Sequence, residues 1–184
     1  MRHTVAALVE NNPGVLVRVA SLFTRRGFNI DSLAVGMTEN PNVSRMTIVV
    51  TGDEHTVAQI CKQLYKLIEV IEVTTLKEEE SVARELALIK IACEPRMRSQ
   101  VTQITGIFRA KIVDVGRDTM TVEVTGDEQK VDAFLQLASD FGIKEIARTG
   151  RIALARGSEH MICPKEEVAY GHDFLRCRQQ TGAS

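Results

Sequence analysis

The chain has 184 residues, no tryptophan, and a formal net charge of −1 from 23 lysines and arginines against 24 aspartates and glutamates. This near-neutral balance and an aromatic content of 4% argue against a nucleic-acid-binding protein, which usually carries a basic excess or aromatic stacking residues. The apolar stretch at residues 5–9 is too short for a membrane span or a signal-peptide core, so we expect a cytoplasmic protein without membrane contact.

Residues 1–76 show strand and helix patterns in a regular order. Apolar residues at every second position predict strands, and apolar residues three and four apart predict helices. The predicted strands are 3–10, 29–38, 44–52 and 70–76, and the predicted helices are 13–26 and 54–67. This first unit therefore has the order βαββαβ.

Residues 77–85 are mostly charged and are interpreted as a solvated linker. Residues 86–157 then repeat the order of the first unit. The predicted strands are 86–94, 110–117, 119–126 and 144–149, and the predicted helices are 97–109 and 128–141. Two tandem βαββαβ units predict an α+β fold of two ferredoxin-like units. Because such small units bury little area alone, we expect packing between units or between chains.

The same four residues, Thr-Gly-Asp-Glu, occur at 51–54 and at 125–128. Each copy follows a predicted strand and precedes a predicted helix. Asp53 and Asp127 therefore stand where a helix N-cap is needed, and a capping carboxylate accepts hydrogen bonds from first-turn amides. We interpret both aspartates as structural rather than catalytic.

The segment between the first predicted strand and helix reads Asn11-Asn12-Pro13-Gly14. In one interpretation it is only a helix start, with Asn11 or Asn12 as the cap and Pro13 in the first turn. That interpretation leaves Gly14 unexplained, because glycine disfavours helix. In the other interpretation, Gly14 lets a ligand approach the backbone, and the free amides at the helix N-terminus suit a carboxylate. Both remain open at this point.

The predicted strand 29–38 lies at a sheet edge in a ferredoxin-like unit. It contains neither lysine nor proline, which commonly protect exposed edges against pairing with other chains. We therefore predict that it pairs with the same strand of a second copy. That pairing would bring Asn29 of one subunit towards the loop at residues 11–16 of the other, forming a cleft suited to a small aliphatic amino acid.

The C-terminal segment 158–184 has no sustained periodicity and is interpreted as poorly ordered. It contains a possible zinc-binding set, His160, Cys163, His172 and Cys177. Structural zinc sites favour two closely spaced pairs of ligands, and only one pair here is close. We therefore expect no metal site. The four cysteines of the chain form no Cys-x-x-Cys pair and are expected to be reduced thiols.

Residues 11–30 and 44–50 resemble the ACT domain of the small regulatory subunits of acetohydroxyacid synthase, also called acetolactate synthase. Residues 107–115 and 145–150 are similar to the C-terminal domain of the same family. The resemblance covers residues 2–157. ACT domains are widespread, whereas the motifs of the second unit are specific to this family.

The resemblance implies a subunit that is not an enzyme and holds no cofactor. Its partner would be a separate catalytic large subunit, which uses thiamine diphosphate, Mg²⁺ and FAD to condense pyruvate with pyruvate or 2-ketobutyrate. The small subunit would activate that enzyme of branched-chain amino acid biosynthesis and confer feedback inhibition by valine. In this sequence the valine-binding residues would be Asn11, Gly14, Val15 and Leu16 from one chain, with Asn29 and Ile30 from the other chain of a homodimer.

An acylphosphatase-type enzyme of the same fold is the alternative from another class. It needs an arginine in a phosphate-binding loop, whereas Arg18 lies inside the predicted helix. No motif gives the four histidines of the chain a catalytic partner. The nearer alternative is a stand-alone ACT-type amino-acid sensor that regulates another system.

Overall fold

The computed structural model describes residues 1–162. In these residues nine strands form two antiparallel sheets, and four α-helices pack against them. The strands are β1 (Arg2–Glu10), β2 (Ser32–Met37), β3 (Val43–Thr51), β4 (Val70–Leu76), β5 (Ser81–Ala92), β6 (Lys111–Val115), β7 (Thr119–Gly126), β8 (Ile143–Arg148) and β9 (Ile152–Ala155). The helices are α1 (Val15–Arg26), α2 (Glu54–Leu64), α3 (Arg98–Ile107) and α4 (Glu128–Ala138).

The two sheets have equivalent strand orders. The first is β2-β3-β1-β4, and the second is β6-β7-β5-β8 with β9 paired to β5. Both units have the βαββαβ order, to which the second adds β9, and in each the first strand is in the interior of the sheet and the second strand is at an edge. The predicted α+β fold of two ferredoxin-like units is confirmed.

Each unit has its own apolar core between the sheet and its helices. In the first unit the largest fully buried side chain is Phe23, which meets Phe28 edge to face with ring centroids 6.4 Å apart. In the second unit Phe134 is equally buried and meets Phe108 in the same manner at 5.4 Å. Complete burial of such apolar side chains contributes about 1.5–3 kcal/mol each.

The first sheet is also buried on the face that points away from its helices. Ala6, Leu8 and Val49 lie on that outward face and are at most 2% exposed. Ala6 and Leu76 contact Ala153 of β9 in a small apolar cluster between the units. The central strand of the first sheet is consequently buried on both faces, as its continuous run of apolar residues requires.

Strand β9 and the first part of β5 differ from the sequence-based prediction. Residues 81–84 pair with β9 in an antiparallel ladder, from Ser81 opposite Ala155 to Arg84 opposite Ile152. The segment 77–85, predicted as a solvated linker, is therefore a strand from Ser81 onward, and the second unit begins earlier than predicted. The reason is that Ser81 and Ala83 are small and can pack between the units, despite the charged residues around them.

Helix α1 also begins later than predicted. Its first residue is Val15 rather than residue 13, because Gly14 has a left-handed conformation with φ of +89° and interrupts the helical geometry. Because the helix starts two residues later, Pro13 belongs to the loop and Gly14 is the N-cap of the helix.

Candidate functional site

The N-terminus of α1 is built differently from those of α2 and α4. Asp53 accepts a hydrogen bond from the Thr56 amide at 2.7 Å, and Asp127 accepts one from the Lys130 amide at 2.8 Å, as predicted. The hydrogen bonds from Thr56 hold the pKa of Asp53 below its ordinary value. At α1 the N-cap is Gly14, which has no side chain to cap the helix. Among the first-turn amides of α1, that of Val15 makes only a long bond to the Asn12 carbonyl, and those of Leu16 and Val17 are open to an external acceptor.

The interpretation of this loop as an asparagine-capped helix start is wrong. The side-chain amide of Asn11 donates to the Pro41 carbonyl at 2.9 Å, and that of Asn12 donates to Glu10 Oε2 at 2.9 Å. Pro13 precedes the N-cap and is not in the first turn. Both asparagines thus hold the loop in place, and Gly14 alone stands at the helix start.

Gly14, Val15 and Leu16 each present a different group at this position. A Cβ added to Gly14 would meet nothing within 4 Å, so the backbone there is approachable. Val15 is buried in the core, and only its amide faces the loop, where it donates to the Asn12 carbonyl at a long 3.3 Å. The side chain of Leu16 is 44% exposed and forms an apolar surface beside the loop.

Asn29 and Ile30 lie at the opposite end of α1 from this loop. The helix has 12 residues, which corresponds to a length of about 18 Å. Asn29 donates to Asp31 Oδ1 at 2.9 Å, and Ile30 packs partly against the core of the first unit. Within one chain, therefore, the structure brings Asn11, Gly14, Val15 and Leu16 together and keeps Asn29 and Ile30 apart from them.

The edge strand β2 pairs with β3 in an unbroken register from Ser32 opposite Val49 to Met37 opposite Ser44. Its six residues carry no charge. Val35 and Met37 are 46% and 71% exposed. This strand presents a regular, apolar edge.

The charged groups near the loop are engaged with one another. Arg18 forms an ion pair with Glu69, and the Glu69 carbonyl accepts a hydrogen bond from the Glu10 amide at 2.8 Å. Arg18 is thus directed to a protein carboxylate rather than to the loop. An anionic group placed at this position would therefore meet the helix amides rather than the Arg18 side chain.

A cleft of about 380 Å³ lies away from this loop, between α1 and α2. It is lined by Leu22, Arg25, Arg26, Gln63, Lys66 and Leu67. The cations stand at the C-terminal ends of the two helices, where positive charge stabilises the helix dipole. That structural role accounts for them.

The contacts between the two units were not predicted from the sequence. The Arg151 guanidinium donates to Thr4 Oγ1 of β1 and to Glu128 Oε2 of α4, both at 3.3 Å, and its amide donates to Ser32 Oγ at 3.0 Å. The one local signal was a glycine, Gly150, directly after a predicted strand. Nothing in that signal identifies the partners, because they are distant in sequence.

Residues 1–162 contain no group of histidine, cysteine, aspartate and glutamate side chains that could hold a metal ion. His160 contacts the Ser158 carbonyl at 2.9 Å, whereas Cys163, His172 and Cys177 lie outside the described residues, as does most of the segment 158–184. None of the helices in the described part of the chain is long and apolar enough to cross a membrane.

Two family models match the chain in tandem. Residues 5–72 match the AHAS small subunit-like ACT domain, and residues 84–157 match the small subunit of acetolactate synthase. The two matched segments correspond to the two ferredoxin-like units of the structure.

Individual proteins show the same similarity. The chain is 58% identical to a probable acetolactate synthase small subunit of Archaeoglobus fulgidus, over 86% of this chain and 99% of that one. It is 52% identical to the acetolactate synthase small subunit of Mycobacterium leprae, over 84% and 92%. The crystal structure of the acetolactate synthase small subunit from Thermotoga maritima superposes with a TM-score of 0.82 at 46% identity, covering 86% of this chain and 99% of that one.

Proposed function

The chain belongs to the family of acetolactate synthase small subunits, and from this premise we propose that it is a non-catalytic regulatory subunit with a valine-binding site. In this proposal it activates a separate catalytic large subunit and transmits feedback inhibition by valine. The thiamine diphosphate, Mg²⁺ and FAD of the reaction belong to that large subunit.

The observation that carries the proposal is the open N-terminus of α1 at Gly14. The carboxylate of valine accepts hydrogen bonds from the first-turn amides of α1, where the helix dipole is favourable to negative charge. The side-chain NH2 of Asn11 donates to the Pro41 carbonyl, which leaves the side-chain oxygen of Asn11 to accept a hydrogen bond from the ammonium group of valine. Leu16 contacts the isopropyl group, whose full burial is worth about 1.5–3 kcal/mol.

The other half of the site comes from a second copy through the edge strand β2. Asn29 and Ile30 precede the start of β2. The end of β2 lies beside the loop, because Met37 pairs with Ser44 and the backbone amide of Asn11 donates to the nearby Asn42 carbonyl. Antiparallel pairing of two β2 strands about a twofold axis places the start of one beside the end of the other. Asn29 and Ile30 of the partner subunit then face Asn11, Gly14 and Leu16.

The lengths of the elements agree with this arrangement. Six residues of strand span about 20 Å, close to the length of about 18 Å for α1. Within one chain, the length of α1 separates Asn29 and Ile30 from the loop. Antiparallel pairing of two β2 strands shifts the partner subunit by nearly the same length, so Asn29 and Ile30 of the partner subunit come next to the loop. Inhibition then needs a coupling of about 1–3 kcal/mol between this site and the state of the catalytic subunit.

The first test is calorimetric titration of the purified chain with L-valine, with leucine and glycine as controls. We expect saturable binding of valine at one site per chain or per dimer, and no binding of glycine.

The second test is reconstitution with the catalytic large subunit. We expect acetolactate synthesis to rise on addition of the small subunit and to fall again with valine. A chain that binds valine but leaves acetolactate synthesis untouched would contradict the regulatory proposal and favour a stand-alone amino-acid sensor.

A further inference from the structure

The bend between β8 and β9, residues 149–151, contacts Ser32 at the start of β2, two residues after Ile30. We propose that this bend is the connection through which ligand occupancy in the first unit reaches the second unit, with Ser32 and Arg151 as positioning residues. The inference rests on the proposed function and adds to it a route for regulation.

The bend and the start of β2 are in closest contact at Gly150. The Arg151 amide donates to Ser32 Oγ at 3.0 Å. Gly150 has a φ of +78°, and a Cβ added there would lie 2.7 Å from Ser32 Oγ and 3.2 Å from the Leu33 carbonyl oxygen. Only glycine allows this approach. Because the bend and the start of β2 leave no room for even one more carbon atom, a displacement of β2 towards the bend would shift the bend as well.

The bend is fixed to the second unit by several hydrogen bonds. The Thr149 amide donates to the Leu86 carbonyl at 3.0 Å, and Thr149 Oγ1 accepts from the Leu86 amide at 3.1 Å. Arg148 pairs with Asp132 of α4 and lies 3.6 Å from Glu85 of β5. The bend therefore moves with the second sheet and with α4.

The Arg151 side chain joins the first turn of α4 to β1 of the first unit. It contacts Thr4, which is 5% exposed, and Glu128, which also pairs with Arg2. Because the Arg151 side chain is only 20% exposed, water screens its charge less than at the open surface. A shift of the bend would thus be coupled to the N-terminus of α4.

The ligand side of the connection is a short chain of hydrogen bonds. Asn29 donates to Asp31 Oδ1 at 2.9 Å, and Thr51 donates to Asp31 Oδ2 at 2.7 Å. Asp31 directly precedes Ser32, and its amide donates to the Val49 carbonyl at 2.9 Å. A ligand group that binds Asn29 changes the constraint on Asp31, and so on the residue that Arg151 contacts.

The experiment compares three variants in the holoenzyme reconstituted with the catalytic large subunit. Ser32→Ala removes the acceptor of the Arg151 amide, and Gly150→Ala adds the clashing Cβ. Gly157→Ala is the matched control, because Gly157 has a similar φ of +72° but an added Cβ there meets nothing within 4 Å. Activation, valine binding by calorimetry and inhibition by valine are measured for each.

We expect Ser32→Ala and Gly150→Ala to activate and to bind valine within about three-fold of wild type, while the inhibitory valine concentration rises by about ten-fold or more. Gly157→Ala should behave as wild type. Inhibition that is unchanged in both variants, or that is lost only in parallel with valine binding, overturns the inference.

Hydrogen exchange gives a readout that a general loss of stability would not produce. In wild type, valine should slow amide exchange both at residues 11–30 and at residues 128–155; in Ser32→Ala, only the protection at 11–30 should persist. Persistence of both overturns the inference. The proposed function is judged separately on wild type: a wild type that valine does not inhibit overturns it, and the inference falls with it.

Discussion

The two units share a topology but differ at equivalent edges. Strand β2 of the first unit has no charged residue and pairs with β3 in an unbroken register. Strand β6 of the second unit begins with Lys111, contains Asp114, and has a register shift between Ile112 and Asp114. Lysine and bulges are devices that protect an edge from pairing. Of these two equivalent edges, that of β6 carries both devices and that of β2 carries neither.

The same contrast holds at the first helix of each unit. Neither α1 nor α3 has a side-chain cap, but α1 starts directly after the loop at Gly14, whereas α3 is preceded by a short helical turn at Pro95–Met97. Arg98 then donates to the Gly116 and Arg117 carbonyls, both at 3.0 Å, and closes the loop against its neighbour. An open helix start and an unprotected edge therefore coincide in the first unit, as the proposed ligand-dependent interface requires.

The largest expected effect comes from closing the open helix start. Gly14→Asp adds a carboxylate where we place that of valine, and a side chain at φ of +89° is also strained. We expect the inhibitory valine concentration to rise by about 100-fold or more, equivalent to about 2.7 kcal/mol, with activation retained. Gly157→Asp, at a similarly positive φ, is the control. Inhibition at wild-type valine concentrations would place the ligand elsewhere.

The second expected effect comes from giving β2 the protection that β6 has. Val35→Lys places a charge on the open edge, while Val113→Lys does the same on β6 at a comparable exposure of 50% against 46%. We expect the first variant to weaken self-association by about ten-fold or more, since the pairing would bring like charges together. Sedimentation velocity over a concentration series measures this. Equal behaviour of the two variants would mean that β2 is not the interface.

The smallest expected effect concerns Glu85, a buried residue of β5 in the second sheet. Burial raises the pKa of this carboxyl, and the nearby Arg148 only partly opposes that shift. The contribution of Glu85 to stability is thus fully present below its unfolded-state pKa, near 4.5, and is lost as the pH rises through the higher folded-state pKa.

We therefore expect Glu85→Gln to melt about 1–3 °C higher than wild type at pH 8 and equally at pH 4. Thermal melts monitored by circular dichroism across this range provide the measurement. A wild type that gains stability over the variant between pH 5 and 8 would show that Arg148 outweighs burial.

Patterns that repeat in the sequence predicted most of the fold. The two Thr-Gly-Asp-Glu segments predicted two equivalent strand–helix junctions, and Asp53 and Asp127 cap their helices as expected. Strand β9 was missed because four residues carry too little periodicity to stand out. The inner face of β9, including Ala153, is buried against the other unit rather than against its own helices.

The candidate site was predictable only in part. Gly14 stood out because glycine is unfavourable in a helix, but the sequence does not tell whether an asparagine or the glycine is the cap. The Arg151 contacts with Thr4 and Glu128 depend on how the units pack, and no local pattern encodes that packing. The separation of Asn29 from the loop likewise depends on the length of α1 in three dimensions.

The burial of the first sheet on both faces limits which fragments of the protein are meaningful. A fragment that stops at Leu76 would retain every strand and helix of the first unit, yet Ala6, Leu8 and Val49 would be left uncovered. We expect such a fragment to aggregate through that bare face. Any self-association or loss of regulation measured on it would describe a surface that the intact chain keeps inside.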